Sequence, residues 1–172
     1  IISKMKKSIQ LFALITLIFS SLTINAQSKV AHIDVQKLIT EMPEVITAQK
    51  ELEKLQKTYT TDIQNTIKEL QVKQQTYSAD AANQTQITNQ ARAEELQSMQ
   101  QNIQKFEQTA AQDLQKKQQD MMGPLIEKAR AAIKKVAEGQ GFDYVLDASA
   151  NGAVLMAKGK DLMTDVKSEL GF

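Results

Sequence analysis

Two long runs of 3–4 apolar spacing dominate the chain. Over residues 45–77, Val45, Ala48, Leu52, Leu55, Tyr59, Ile63, Ile67, Leu70 and Tyr77 recur on one helical face. Over 96–136, Leu96, Met99, Ile103, Phe106, Ala110, Leu114, Met121, Leu125, Ala129, Ile133 and Val136 do the same. This period belongs to amphipathic helices. Between the runs, Ser78–Thr85 has no large apolar side chain and several turn-forming or capping residues. The chain is therefore predicted to reverse there, as a long antiparallel coiled-coil hairpin. A first arm of about 34 residues spans roughly 50 Å. With the reversal near residue 82, Val45 faces about residue 119, and the second helix runs roughly five turns past the hairpin base. Gly123-Pro124 falls at that base. Pro124 cannot donate to the carbonyl one turn earlier and Gly123 weakens the helix, so the pair reads as a hinge. The alternative is a separate terminal helix beginning at Pro124.

The flanks change period. Lys29–Val35 is β-branched and nearly continuous in apolarity, as in a buried strand. A short helix over Gln36–Met42 is stopped by Pro43, which also suits the first turn of the arm helix, where Glu44 complements the dipole. Beyond the hairpin, an amphipathic segment ends at Gly139 and Gly141. Phe142–Leu146 reads as a strand, Asn151-Gly152 as a hairpin turn and Ala153–Ala157 as the partner strand. Lys158-Gly159-Lys160 breaks that strand before a last helix over Asp161–Leu170. The predicted fold is α+β, mostly α: a hairpin arm (44–122) inserted in a small three-stranded β body made from 27–43 and 123–172. A body of about 80 residues has a marginal core, and a small open sheet has exposed edges. Both point to an oligomer, with Val30, Ile33, Val145, Leu146, Val154 and Leu155 as the expected interface and Gly123 and Pro124 as the hinge.

Composition alters this picture at the amino end. Met5-Lys6-Lys7, an apolar run to Leu22 and a small residue at Ala26 form the pattern of a cleaved secretory signal over 1–26, with Ile1–Lys4 an upstream extension. The apolar run is too short for a good membrane span. Without cysteine there is no disulfide and no thiolate metal site. Removal of Lys4, Lys6 and Lys7 with the signal takes the net charge from +1 to −2. From Glu44 to Glu138, 13 basic residues balance 13 acidic ones. Such a surface gives no support to nucleic-acid binding, or to contact with a membrane or lipopolysaccharide. Lys116-Lys117 and Lys134-Lys135 read as ordinary surface charge.

Candidate chemistry is sparse. His32 is the only histidine, and the strand period places Asp34 on its face. A His–Asp pair could orient a base, but no nucleophile accompanies it, so a hydrolase is the third-ranked reading. No phosphate loop or metal-ligand spacing is present. The chain is expected to be no enzyme and to need no cofactor.

Taken in order, the elements resemble the Skp (OmpH) family of periplasmic chaperones. The resemblance rests on Val30-Ala31-His32-Ile33-Asp34-Val35-Gln36-Lys37, Met42-Pro43-Glu44 and Pro124-Leu125-Ile126 through Val136-Ala137. It continues through Gly141-Phe142-Asp143-Tyr144-Val145-Leu146-Asp147 and Asp161-Leu162 with Val166. It covers the mature chain. It implies a homotrimer with three helical arms that holds unfolded outer-membrane β-barrel proteins between them, in the periplasm and without ATP. The neutral arms differ from the strongly basic members, and Met163 stands where the family often has Thr. The competing class is a structural or adhesive coiled-coil protein of the cell envelope.

Overall fold

The computed structural model describes residues 28–150 and 154–172. The predicted signal segment and the Asn151-Gly152 turn lie outside them. Strand β1 (Val30–Ile33) leads into helix α1 (Val35–Glu41) and then α2 (Pro43–Asp80). A single 3-10 turn (Ala81–Asn83) reverses the chain into α3 (Gln86–Gly139). Strands β2 (Tyr144–Asp147) and β3 (Lys160–Asp161) and helix α4 (Met163–Leu170) follow.

Local chemistry sets each boundary. Asp34 caps α1, its carboxylate accepting from the Lys37 amide at 2.8 Å. Extended Met42 separates α1 from α2, and Pro43 occupies the first turn of α2. Thr85 caps α3, its hydroxyl accepting from the Thr88 amide at 3.1 Å. At the far end of α3, Gly141 takes φ +71°. Its amide reaches the Glu138 carbonyl at 3.1 Å and the Phe142 amide reaches Ala137 at 3.0 Å, a Schellman ending. Asp161 begins α4 from one position before its cap, accepting from the Met163 amide at 2.8 Å.

Helices α2 and α3, of 38 and 54 residues, form the arm. At 1.5 Å per residue they extend about 57 and 81 Å. Glu44 meets Lys128 at 2.7 Å, Tyr59 meets Asp113 at 2.7 Å and Tyr77 meets Glu95 at 2.6 Å. The falling partner number makes the pair antiparallel. The register corrects one expectation, because the start of α2 lies beside residue 128 and not 119. α2 stays helical to Asp80 and needs the 3-10 turn and extended Gln84 to reverse, so the reversal comes later than residue 82. The overshoot of α3 shrinks to about three turns. Gly123-Pro124 therefore lies within the paired arm, near the start of α2. α3 runs through Pro124 as one helix, so no separate terminal helix begins there.

The sheet has the order β2-β1-β3, with both pairings parallel. Val30 pairs with Tyr144 and Ile33 with Asp147 on one side, and His32 with Asp161 on the other. The expected strand over Ala153–Ala157 is not formed at Val154–Ala157, and β3 lies instead at Lys160–Asp161. β1 occupies the position between β2 and β3, which removes the predicted hairpin. Gly159 has a different role from a breaker: a Cβ there would sit 3.0 Å from the Val30 carbonyl oxygen. The missing side chain lets the backbone approach β1 closely enough for the next two residues to pair.

Both ends of the chain build one core. Ile33, Leu38, Met42, Val45, Leu162 and Val166 are its largest fully buried side chains. Ala129, Ala132 and Ala137 of α3 close it from the arm side. Small residues there let the helix lie near the sheet and the short helices.

Candidate functional site

The two residues considered for catalysis are used structurally and apart from each other. His32 donates from Nε2 to the Gly159 carbonyl at 3.2 Å. Asp34 falls beyond the end of β1, outside the strand alternation, and caps α1. Among the described residues no three His, Cys, Asp or Glu side chains gather as a metal site. The grooves among the described residues are open, with charged side chains at their rims, Glu44 and Glu51 at one and Arg130, Lys134, Glu138 and Asp143 at another. One, of about 450 Å³, runs between Pro43, Thr47 and Ala48 of α2 and Met121 and Leu125 of α3. Another, of about 300 Å³, lies between Ile133 and Ala137 of α3 and Phe142 and Tyr144. The features open to partners are therefore surfaces: one face of the sheet, and the arm.

Strand alternation divides the expected interface residues. Ala31 and Ile33 point inward and are buried in the chain's own core, so Ile33 is not on the open surface. Val145 packs against the same core. Val30 and Leu146 point outward and are 41% and 43% exposed. Tyr144, which the sequence reading passed over, lies beside them at 60%. Val154 is half-buried, whereas Leu155 and the unanticipated Met156 are open to solvent. The expected interface residues therefore belong to two opposite faces of the sheet. The period of two, applied from Ile33 outward, separates them.

The arm changes character along its length. At its base the seam is apolar, with Val45 and Ala48 buried, and it stays apolar past the middle, where Ala110 and then Ile103 are buried. Midway, Tyr59 and Phe106 meet edge to face with ring centroids 6.1 Å apart, and the Tyr59 hydroxyl donates to Asp113. Its hydrogen bond to that carboxylate raises the phenol's pKa. Toward the tip the inward positions become polar. Glu95 accepts from Lys73 at 2.5 Å and from Tyr77 at 2.6 Å. The Lys73 hydrogen bond, then that of Tyr77, holds the Glu95 carboxyl below its ordinary range. The Arg92 guanidinium stacks on the Tyr77 ring at 4.6 Å and donates to Asp80 at 3.1 Å. Asp80 also accepts from Gln84 at 2.7 Å and Asn83 at 3.3 Å. Adjacent Glu94 and Glu95 do not face each other, and the partners of Glu95 lie on the other helix.

Gly123 and Pro124 share one helix turn beside the first groove. A Cβ at Gly123 would meet nothing within 4 Å, so packing does not require glycine there. No helix among the described residues is long and apolar enough to cross a membrane.

This architecture recurs in solved structures. A crystal structure of a protein from Caulobacter crescentus CB15, described as an OmpH-like outer membrane chaperone, superposes with a TM-score of 0.74. The match covers 84% of this chain and 85% of that one at 14% sequence identity, so it speaks for the fold. No curated protein matches the sequence. The profile of the family described as outer membrane protein (OmpH-like) matches residues 29–170, from just before β1 to the last residue of α4. The chain belongs to the OmpH-like outer membrane protein family.

Proposed function

We propose that this protein is an ATP-independent holdase of the periplasm that keeps unfolded outer-membrane β-barrel proteins from aggregating. The observation that carries this reading is the arm: two helices of 38 and 54 residues project from a core built by residues of both chain ends. Such a shape offers a long wall, and the grooves among the described residues are open. Family membership and the fold shared with the Caulobacter protein support the same reading. The outer faces of the arm are rich in Gln and Thr with interspersed charge. They offer many weak contacts and no fixed docking geometry, which suits a client that must later be released.

The proposed assembly is a homotrimer. Val30, Tyr144 and Leu146 form an apolar sheet face with little cover in one chain, and Leu155 and Met156 are exposed as well. Burying such a patch between copies removes a liability that soluble proteins seldom leave exposed. Three copies then place three arms around a cavity. Gly123-Pro124 is proposed as the place where each arm bends to fit clients of different size. The experiment is suppression of aggregation of a urea-unfolded β-barrel protein, with native mass measured in parallel. Suppression at near-stoichiometric trimer is expected. A trimer without suppression favours a structural envelope protein, and a monomeric mass overturns the assembly.

A further inference from the structure

The distal arm departs from the rule that holds its proximal part together. Between Leu70 and Leu96 no large aliphatic side chain occupies the seam, and Val72 and Ile87 of this stretch are exposed. The partly buried seam positions beyond Leu70 on α2 are Lys73, Tyr77 and Asp80, and those before Leu96 on α3 include Arg92 and Glu95. Their spacing of three and four is that of a seam, but four of the five are charged. The side chain of Arg92 is only 22% exposed.

These groups form one connected set across the two helices. Glu95 directs one oxygen to Lys73 and the other to Tyr77. Arg92 covers the Tyr77 ring and continues to Asp80. Asp80 fixes the turn through Gln84 and Asn83, and Asn89 closes it by donating to the Ala81 carbonyl at 2.8 Å. Glu69 adds a second carboxylate to Lys73 at 3.8 Å. Helix association here rests on charge-assisted hydrogen bonds, which depend on charge state and salt, in contrast to the apolar contacts nearer the body.

We propose that the distal arm, roughly residues 71–95, is a latched segment that opens between its two helices while the proximal arm and body stay closed, with Glu95 as the latch. This differs from bending at Gly123-Pro124, which moves the arm as a unit. It gives the arm a compliant end, set by a polar seam, on a stiff apolar-seamed base.

Hydrogen exchange on the full chain tests it. In Glu95→Ala, amides of 71–95 should exchange about tenfold faster, the size expected for loss of charge-assisted bonds, while 45–66 and 106–125 keep their rates. Glu94→Ala, an exposed neighbour outside the set, should change neither. The double variant Lys73→Leu with Glu95→Leu restores an apolar seam and should slow distal exchange below wild type. It should also abolish the acceleration that high salt produces in the wild type. Equal acceleration along the whole arm in Glu95→Ala, or unchanged distal exchange in both variants, overturns the proposal.

Discussion

At the residue scale, two Gly-Phe pairs end two helices in the same way. Gly141 and Gly171 are the residues with positive φ among those described, at +71° and +88°. Each is followed by a phenylalanine whose amide returns to the last turn: Phe142 to Ala137 and Phe172 to Lys167, both at 3.0 Å. Phe172 also lies 5.7 Å from the Lys167 ammonium. Only the first ending was expected from the sequence, although the dipeptide is identical. Of the glycines near the end of α3, Gly141 and not Gly139 has the left-handed backbone. Gly141→Ala should therefore cost about 1–2 kcal/mol of unfolding free energy, and Gly139→Ala should cost none. Urea denaturation of the pair reads the difference. Asp147 illustrates charge at this scale. Burial raises its pKa, but the amide and hydroxyl of Ser149 and the Val35 amide outweigh that and leave it lowered. A lowered folded value means that its stabilisation is complete above the ordinary Asp range and is lost as pH falls through the folded value. Asp147→Asn should make acid unfolding less steep in that window and leave neutral-pH behaviour less affected.

At the element scale, the hairpin was legible because its period is long and unbroken, and its register was not. Apolar spacing shows which face is buried but not which residue lies opposite. That was settled by Glu44–Lys128, Tyr59–Asp113 and Tyr77–Glu95, pairs far apart in sequence. The polar seam was visible as the gap between Leu70 and Leu96, where Lys73, Asp80, Arg92 and Glu95 keep the helical spacing. Counting only apolar residues concealed it. Strand β3 was missed because its pairing depends on the close approach at Gly159, which composition reads as a break. For Gly123 the open space around its Cβ position gives a clear expectation. Gly123→Ala should raise thermal stability by about 1 kcal/mol, the usual helix-propensity difference. If Gly123 serves as a hinge, the same change should narrow the distribution of arm-to-body distances measured between spin labels. A stability gain with an unchanged distribution would assign the glycine no mechanical role.

At the scale of the molecule, the core belongs to neither end of the chain alone. Leu38 of α1 is buried with Val166 of α4 and Ala129 of α3. Leu38→Ala should cost about 2–5 kcal/mol, as for other buried leucines, and should lower the midpoint of the entire unfolding transition. The sequence showed that both ends form the body, because strand-like and helical segments flank the hairpin on each side. Which sheet face stays open followed only from the alternation around Ile33. The ion pairs Lys135–Glu169 at 2.6 Å and Lys160–Asp165 at 3.0 Å hold α4 at the surface and contribute little by comparison.

The central position of β1 has a kinetic consequence. Its partners lie more than a hundred residues downstream, at Tyr144–Asp147 and Lys160–Asp161. A chain emerging from its amino end makes β1 first and can complete it last. Closing so long a loop directly is entropically costly and slow. Zippering the hairpin first brings Pro43 beside the segment around Lys128 and shortens the remaining closure to the residues on either side. The arm is then a folding device. Ala110→Gly, inside its apolar seam, should slow refolding, whereas Leu162→Ala in the late-forming body should chiefly hasten unfolding. Stopped-flow refolding and unfolding of the two variants would separate them.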